Sequence, residues 1–402
     1  MSGKIFNKME KIKWPLCADV FTFKDKLKIS KFLFTERIWT YGEWIRKYES
    51  EWEKVWHSNH VIMVSSGSAA NGLIALRRKW ELQQSGEWPK KNKVLFPVNT
   101  WISSVSVWIN CGFEPVFIDI NKETLNVHSH KLPEIFNSDD SIGTFFYTSI
   151  LGFFGDILNC YYLCENFKVK FLMDNCEATF SYYWDNVLYR NSIMNLATSS
   201  TSLFYSHFAV TGTEGGLIAT QSDEERDWFV MMRSHGLTRG MDKKYKNPKV
   251  NPEFDFALLG SNYRSSNLQA YMGLLDIKRA QKFAMDKRLQ LLTLFQNNLD
   301  KEKYNTINKH LDSDECIPLA IPVLCKNRDQ RIKAETYCKL NGVMTRPIIG
   351  GCLTEQTPFL KYGNSKDYPN AMWSHECGFY IGLHKNVTEE MIVELAENIS
   401  KI

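Results

Sequence analysis

The segment HVIMVSSGSAANGLIALRRKWEL, residues 60–82, decides the fold of this chain. Its first five residues form a continuous apolar run, which predicts a strand covered on both faces. A turn of small residues, SSGSAANG at 65–72, then leads into a predicted helix. Backbone N–H groups at a helix start, reached through small residues, can hold a phosphate. The same residues also suit a plain tight turn, and this segment alone leaves both interpretations open.

Six further apolar runs follow, and segments with a helical pattern separate them. Alternation of buried strands with helices is typical of an α/β protein with an open, mostly parallel sheet. We therefore predict a seven-stranded, mostly parallel sheet sandwiched by helices. The seven runs are residues 60–64, 93–97, 114–119, 143–150, 170–174, 201–206 and 216–220.

The pattern changes beyond residue 270. Residues 272–299 predict one long amphipathic helix, and two more apolar runs follow at 317–325 and 379–383. Helical segments lie between and after these runs. We predict a large domain of residues 1–275, including an N-terminal arm, and a smaller C-terminal α+β domain of residues 276–402.

Composition and charge exclude several classes of protein. The 402 residues carry 49 Lys and Arg against 45 Asp and Glu, and the net charge of +4 without a basic cluster argues against nucleic-acid binding. Ten cysteines, spread along the chain, fit reduced thiols in the cytoplasm better than a disulfide scaffold. The most apolar stretch, residues 144–157, is too short to span a bilayer, so we expect no membrane partner.

Two acidic residues lie at and just after the end of the run KFLMD at 170–174. Asp174 ends that run, and the carboxyl ends of strands are where α/β sheets bind ligands. A carboxylate there can pair with the protonated pyridine nitrogen of pyridoxal phosphate. Asp174 and Glu177 also match a helix capping box, which is the structural alternative.

Three further candidates lie within or just after predicted strands. Ser202 and His207 lie five residues apart in SLFYSHFAVTGTEGG, and Trp101 lies in PVNTWISS. An exposed indole can stack on a flat ring. A packing role in the core is the alternative for both the histidine and the tryptophan.

Taken in order, these segments resemble the sugar aminotransferase family of fold type I pyridoxal phosphate proteins. The resemblance covers nearly the whole chain. It is carried by WTYGEWIRKYESEWEKVW, VSSGSAANGLIAL, VLFPVNTWISS, LGFFGDI, FLMDNCEATF, TEGGLIAT, MMRSHG and GSNYRSSNLQAYMG.

The resemblance implies roles for the candidate residues. It implies that Gly67, Ser68 and Ser202 hold the cofactor phosphate, that Asn262 reaches it from a second subunit, and that the active unit is a homodimer. It also implies the contacts to the cofactor ring, namely stacking by Trp101, pairing of Asp174 with the ring nitrogen, and a position beside the ring for Glu177.

One departure from the family determines the expected reaction. The aminotransferases have a Schiff-base lysine five residues after the serine that matches Ser202, whereas this chain has His207 and no lysine between Lys170 and Lys243. Imidazole forms no stable internal aldimine but, with a reference pKa of about 6.5, it can carry a proton near neutral pH.

The same swap marks the 3-dehydratase branch, which removes the C3 hydroxyl of nucleotide-linked 4-keto-6-deoxyhexoses. The resemblance to its GDP-sugar type implies pyridoxamine phosphate as the working cofactor and glutamate as the amino donor. The alternatives are a nucleotide-sugar 4-aminotransferase, with Lys243 or Lys244 supplying the amine, and a catalytically silent relative of the same fold.

The resemblance also bears on metal and substrate. An iron–sulfur type of dehydratase needs four close thiolates, and no cysteine lies between Cys176 and Cys316, so we expect no metal. The candidates for contact with the nucleotide sugar are His235, Arg264, Arg346 and His384. Phe208 stands where a second histidine is common in that branch, and Cys352 and Leu383 stand where asparagine is usual.

Overall fold

The central element of the fold is a seven-stranded sheet. The computed structural model describes residues 13–185, 189–208, 211–307 and 316–402. The strand order is β1-β9-β8-β5-β4-β2-β3, and β9 runs antiparallel to the other six. The strands are β1 His60–Val64, β2 Lys93–Pro97, β3 Glu114–Ile118, β4 Ile142–Thr148, β5 Lys170–Asp174, β8 Ser199–Ser202 and β9 Gly216–Thr220. The predicted seven-stranded, mostly parallel α/β sheet is confirmed.

Strand β8 differs most from its prediction, whereas the ends of β3 and β4 differ by only one or two residues. We placed a strand at residues 201–206, but β8 covers Ser199–Ser202 and the chain then turns. Its sequence, SSTS, is polar although three of the four residues are buried, because their hydroxyl groups find partners inside the protein. The sequence pattern also missed a hairpin, formed by β6 Tyr182–Asp185 and β7 Tyr189–Ser192.

Helices cover both faces of the sheet, and their ends follow local capping chemistry. Helix α3 begins at Gly67 because the hydroxyl of Ser66 accepts a hydrogen bond from the Ala69 N–H at 3.0 Å. The helices are α1 Phe23–Thr35, α2 Glu43–Trp56, α3 Gly67–Gln84, α4 Ile102–Asn110, α5 Leu132–Ser138, α6 Ile157–Phe167, α7 Asp223–Met232, α8 Asn267–Phe283, α9 Leu289–Asn298, α10 Arg328–Leu340, α11 Pro369–Cys377 and α12 Glu389–Ser400.

The predicted long helix is helical throughout but is not one regular α-helix. Helices α8 and α9 are joined by a π-helical turn, Ala284–Arg288. The helical run begins at Asn267, five residues earlier than predicted, because Ser266 and Gln269 form a capping box. The π-turn directs Arg288 inward, and that side chain is buried.

A second, antiparallel sheet lies in the C-terminal part of the chain. Its order is β10-β11-β13-β12, with β10 Tyr304–Asn305, β11 Ala320–Cys325, β12 Thr345–Pro347 and β13 Gly378–Gly382. The N-terminal segment packs on it, since Trp14 pairs with Val343 and its indole N–H donates to the Gly382 carbonyl at 2.8 Å. The division into residues 1–275 and 276–402 stays a prediction.

The topology brings the site candidates to one edge. Strands β1, β2, β5 and β8 run in the same direction, so the residues that follow them meet where their carboxyl ends lie. Within the described residues, no helix combines the length and the apolar character that a membrane crossing requires.

Candidate active site

Asp174, at the carboxyl end of β5, is the most tightly held polar group of the site. It is 3% exposed. Its Oδ2 accepts hydrogen bonds from Asn71 Nδ2 at 2.7 Å and Ser104 Oγ at 2.6 Å, and its Oδ1 accepts one from the Cys176 N–H at 3.1 Å. A turn follows Asp174, and no helix begins there. The helix-cap alternative for this residue was therefore wrong.

The start of helix α3 meets the end of β8. A Cβ atom added at Gly67 would lie 2.9 Å from Ser202 Cβ and 3.0 Å from Cys176 Sγ, so no larger residue fits there without a shift. Ser68 Oγ donates to Ser103 Oγ at 2.8 Å, which ties this turn to helix α4. The structure thus brings together the three residues expected at a phosphate, and it adds the positive end of a helix dipole.

Trp101 lies beside these groups. It immediately precedes helix α4 and is 55% exposed, so its indole belongs to no core cluster. Ser103 and Ser104, two and three residues further on, contact Ser68 and Asp174. Trp101 therefore lies close in sequence to residues that contact Ser68 and Asp174. Its stacking on a cofactor ring stays a prediction.

Glu177 lies three residues after Asp174 and bonds to a different loop. Its Oε2 accepts a hydrogen bond from the Leu151 N–H at 2.7 Å, and Leu151 itself has a left-handed backbone with φ of 52°. Loss of hydration raises the pKa of Glu177 to about 8; the bond from Leu151 opposes this shift and the nearby Asp174 carboxylate adds to it. Glu177 is consequently a protonated acid at neutral pH.

His207 lies on the turn after β8. Its backbone N–H donates to the Phe204 carbonyl at 2.9 Å, and its ring packs edge-on against Phe204. Nδ1 is buried and has no hydrogen-bond partner among the residues that the structure describes. Loss of hydration lowers the pKa of His207 to about 4, although the Asp174 carboxylate opposes the shift. The ring is therefore neutral near pH 7, where its reference pKa had suggested partial protonation.

Three of the candidates form a separate group. Ser234 and Asn262 form a β-bridge, the His235 N–H donates to the Ser261 carbonyl, and the Arg264 N–H donates to Asn262 Oδ1 at 3.2 Å. The Ser65 N–H donates to the Tyr263 carbonyl at 2.9 Å, so this group adjoins the turn before Gly67. In the part of the chain that the structure describes, the side chains of His235, Asn262 and Arg264 do not bond to Asp174 or His207.

The two C-terminal candidates differ in the exposure and the hydrogen bonding of their side chains. Arg346, on β12, is exposed and close enough to Tyr205 to lower the pKa of that phenol, against larger effects that raise it. His384 is buried, its Nε2 donates to the Pro15 carbonyl at 2.9 Å and its Nδ1 accepts from the Asn386 N–H at 3.3 Å. Both ring nitrogens of His384 are thus engaged with backbone, whereas the Arg346 head group is available.

Sequence reasoning missed four residues of this region. Asn71 and Ser104 hold Asp174, Cys176 packs against Gly67, and Arg288 lines the same cavity as His207. Asn71 and Ser104 could have been found, because each lies in a motif already selected and follows its strand within one or two helical turns. Arg288 carries no such signal, because the π-turn that directs it inward leaves no pattern in the sequence.

The residues fit a phosphorylated pyridine. Gly67 leaves open the space that a side chain would fill at a helix start, Asp174 is a fixed buried carboxylate, and His207 Nδ1 is a buried atom without a partner. Phosphate, ring nitrogen and reacting carbon of such a molecule need these three kinds of group. No three His, Cys, Asp or Glu side chains of the described residues come together as ligands for a metal ion.

Comparison with known proteins places the chain in context. The profile of the DegT/DnrJ/EryC1/StrS aminotransferase family matches residues 24–400. A GDP-4-keto-6-deoxy-D-mannose 3-dehydratase of Escherichia coli O55:H7 is 25% identical, with 93% of this chain and 96% of that protein covered. A GDP-perosamine synthase of Escherichia coli O157:H7 is 20% identical, with 96% and 98% covered.

Solved structures agree on the fold. An E. coli GDP-4-keto-6-deoxy-D-mannose 3-dehydratase with bound hydrated PLP superposes with a TM-score of 0.83 at 24% identity, covering 97% of this chain and all of the other. An aminotransferase of Helicobacter pylori involved in the biosynthesis of pseudoaminic acid gives 0.81 at 18% identity, covering 98% and 99%. The fold is therefore that of the fold type I pyridoxal phosphate proteins.

Proposed function

The chain belongs to the DegT/DnrJ/EryC1/StrS aminotransferase family, and from that premise we propose that it is a 3-dehydratase. Its substrate in this proposal is a nucleotide-linked 4-keto-6-deoxyhexose of the GDP-4-keto-6-deoxy-D-mannose type, and its product leads to 3,6-dideoxysugars. Relatives with that activity support the proposal, although the family also includes aminotransferases such as the GDP-perosamine synthases.

The observation that carries the proposal is the state of His207. His207 is a neutral, partly buried imidazole whose Nδ1 has no hydrogen-bond partner among the described residues. In this proposal it takes the place of the lysine of the family's aminotransferases. Such a ring can accept and return a proton but cannot hold the cofactor covalently. The nearest downstream lysines, Lys243 and Lys244, are exposed on a short turn.

The cofactor is pyridoxal 5′-phosphate, with pyridoxamine 5′-phosphate as its working form. Gly67, Ser68 and Ser202 hold the phosphate in this proposal, Trp101 stacks on the ring and Asp174 keeps the ring nitrogen protonated. Glu177 lies beside the ring. When bound, the cofactor supplies an amine for the C4 ketone of the sugar and a ring that withdraws electrons.

The protein's own residues then move protons and fix orientation. His207 Nδ1 accepts a proton and, once charged, gives it to the C3 oxygen as that hydroxyl leaves. Asn71 and Ser104 keep Asp174 from rotating, so its charge stays where a pyridinium needs it. Overall the sugar loses its C3 oxygen and is reduced, while glutamate is oxidised to 2-oxoglutarate and releases ammonia.

The nucleotide sugar requires cationic contacts. Arg346, and Arg264 with His235, are the proposed contacts for the diphosphate and sugar, since their polar groups are accessible. His384 contributes less directly in this proposal, because backbone groups occupy both of its ring nitrogens. The free state of all ten cysteines suits an enzyme of the cytoplasm.

The proposed active unit is a homodimer to which the second subunit contributes Asn262. The segment before this residue carries exposed apolar side chains, and Leu259 is fully exposed. Contiguous exposed apolar surface on a folded protein marks an interaction site. The members of this patch are Val250, Phe254, Phe256 and Leu259.

Product analysis tests the proposal. Purified protein, a 4-keto-6-deoxy sugar nucleotide and glutamate should give a sugar with a methylene group at C3, visible by NMR, and His207→Asn should give none. Borohydride reduction should leave the wild-type cofactor dialysable. A 4-amino sugar, or covalent trapping of the cofactor by borohydride, would establish the aminotransferase alternative, and absence of any cofactor absorption band would indicate a silent relative.

A further inference from the structure

A small cavity lies next to His207 and is lined by Arg288, a residue that the proposed function does not use. Its volume is about 130 Å³, and it lies between the N-terminal segment, helix α8 and the turn at residues 205–208. A cavity of about 150 Å³ holds one benzene molecule, so this one accepts a molecule of roughly six non-hydrogen atoms. A nucleotide sugar is too large for it.

Two residues that line the cavity, Arg288 and His207, each have a buried atom without a hydrogen-bond partner among the described residues, Nε of the arginine and Nδ1 of the histidine. Arg288 is 5% exposed and held firmly. Its Nη1 donates to the Leu319 carbonyl at 2.6 Å, and its guanidinium lies over the Phe208 ring at 4.6 Å. Buried polar atoms are almost always paired, so the unpaired Nε leaves part of the hydrogen-bonding capacity of the Arg288 guanidinium unused.

The charges around the cavity favour an anion. Within the described residues, no carboxylate lies within 4.0 Å of the Arg288 guanidinium. Arg279, which also lines the cavity, differs in this respect because it pairs with Asp25 at 2.6 Å and with Asp276 at 3.7 Å. A buried cation without a counter-charge is unfavourable, and burial lowers the pKa of Arg288 to about 9.

The remaining walls favour a carboxylate with a short hydrocarbon part. Val20, Phe283 and Leu383 are apolar and line the cavity. Such walls suit a methyl or methylene group better than a fully hydrated phosphate. A planar carboxylate matches the geometry of a guanidinium.

We infer that this cavity is a binding site for a small carboxylate, with Arg288 as its ionic partner and His207 as a neighbouring wall of the same cavity. The site itself does not depend on the proposed function; its effect on catalysis does. The carboxylate belongs either to a free organic acid or to the amino-acid substrate.

A bound carboxylate should raise the pKa of the His207 ring. The charged groups that act on this ring are Asp174, which favours protonation, and Arg288, which opposes it. The other charged or titratable residues that line the cavity are Cys17, Tyr205, Asp276, Arg279, His384 and Lys385. An added anion favours the imidazolium, so the carboxylate should bind more tightly as the pH falls.

Sodium acetate is the probe, and the full-length protein loaded with pyridoxamine phosphate is the sample. With ring-labelled histidine, the NMR signal of His207, assigned with His207→Asn, should shift saturably with acetate at constant ionic strength. Arg288→Gln should weaken acetate binding by about tenfold or more. Arg279→Gln is the matched control and should bind within about twofold of wild type, because that arginine is already paired.

Two further experiments identify which carboxylate the site binds and replace Arg288→Gln if that variant does not fold. Competition between acetate and glutamate in glutamate consumption assigns the site to the amino-acid substrate, and acetate binding without competition assigns it to a free acid. Should Arg288→Gln not fold, Arg288→Lys keeps the charge, and a crystal grown in acetate should show the carboxylate beside Arg288.

The inference is overturned if acetate up to about 100 mM, well beyond a Kd of about 1 mM, produces no saturable shift in wild type. It is also overturned if Arg288→Gln binds acetate like wild type, or if the crystal shows no carboxylate at Arg288. Formation of the deoxygenated sugar is measured separately, so either idea can fail while the other holds.

Discussion

His207 shows what a residue's identity predicts and what only its surroundings determine. Its position after Ser202, and the absence of a lysine, were evident in the sequence. Its protonation was not, because the pKa depends on burial and on charges brought near by the fold. The sequence-based expectation of a half-protonated imidazole is replaced by a neutral base.

The pKa of His207 predicts how the cofactor-free protein responds to acid. A pKa lowered from 6.5 to about 4 means that the folded state binds fewer protons than the unfolded state between these values. The contribution of this group to stability is therefore fully present above pH 6.5 and is lost as the pH falls through 4. An NMR titration should place the His207 midpoint near 4, and Asp174→Asn should lower it further. A midpoint at 6.5 or above would contradict the geometry.

Gly67 predicts a second effect at the scale of one residue. Gly67→Ala would put a Cβ atom 2.9 Å from Ser202 Cβ and should displace β8 from the helix start. We expect cofactor affinity, measured by absorbance titration, to fall by about tenfold or more.

Gly72→Ala is the matched control for this change. It lies in the same helix, and its Cβ would meet only Val107, at 3.9 Å. Its cofactor affinity should equal that of wild type. Equal losses in both variants would show that the cofactor phosphate lies elsewhere.

At the scale of elements, strands were predictable where the buried residues are apolar and were not predictable where the buried residues are polar. Strands β1, β2, β5 and β9 match their predictions residue for residue, because their apolar runs are buried. The predicted position of β8 was wrong, because a run of serine and threonine is typical of loops even though these residues are largely buried here. The π-turn before α9 could not be predicted from the sequence, because it changes the backbone hydrogen bonding without changing the amino-acid composition.

The contact between helices α2 and α8 gives a prediction at this scale. A Cβ atom at Gly273 would lie 2.6 Å from Tyr48 Cζ, and that tyrosine ring is fully buried. Gly273→Ala should lower the free energy of unfolding by about 1–3 kcal/mol in urea denaturation, despite the better helix propensity of alanine.

A double-mutant cycle provides the control. In a Tyr48→Ala background the clash is absent, so Gly273→Ala should be neutral or stabilising by up to about 1 kcal/mol. An equal loss of stability in both backgrounds would refute this account of the packing.

At the scale of the whole molecule, the site combines distant parts of the chain. The end of β5, the start of α3 and the turn after β8 were placed together by the expected topology, and the structure brings them together. The N-terminal segment also lines the cavity beside His207. Its position results from pairing with the C-terminal sheet, which local sequence patterns do not reveal.

The proposed homodimer makes a prediction at this scale. Leu259→Asp would place a charge in the exposed apolar patch before Asn262 and should convert dimers to monomers in analytical ultracentrifugation, with reduced cofactor affinity. Leu340→Asp, the same substitution at an exposed leucine of α10, should leave the dimer intact. A monomeric wild type, or dissociation by both variants, would argue against an interface at this patch.

The fate of nitrogen is the most direct test of the central claim, that an imidazole in the place of the family's lysine directs the reaction to deoxygenation. The measurement is mass spectrometry of the products formed from a 4-keto-6-deoxy sugar nucleotide and ¹⁵N-labelled glutamate. We predict that the label appears in free ammonia and that the sugar lacks both nitrogen and its C3 oxygen. Label retained in the sugar, with the C3 oxygen still present, would contradict the account.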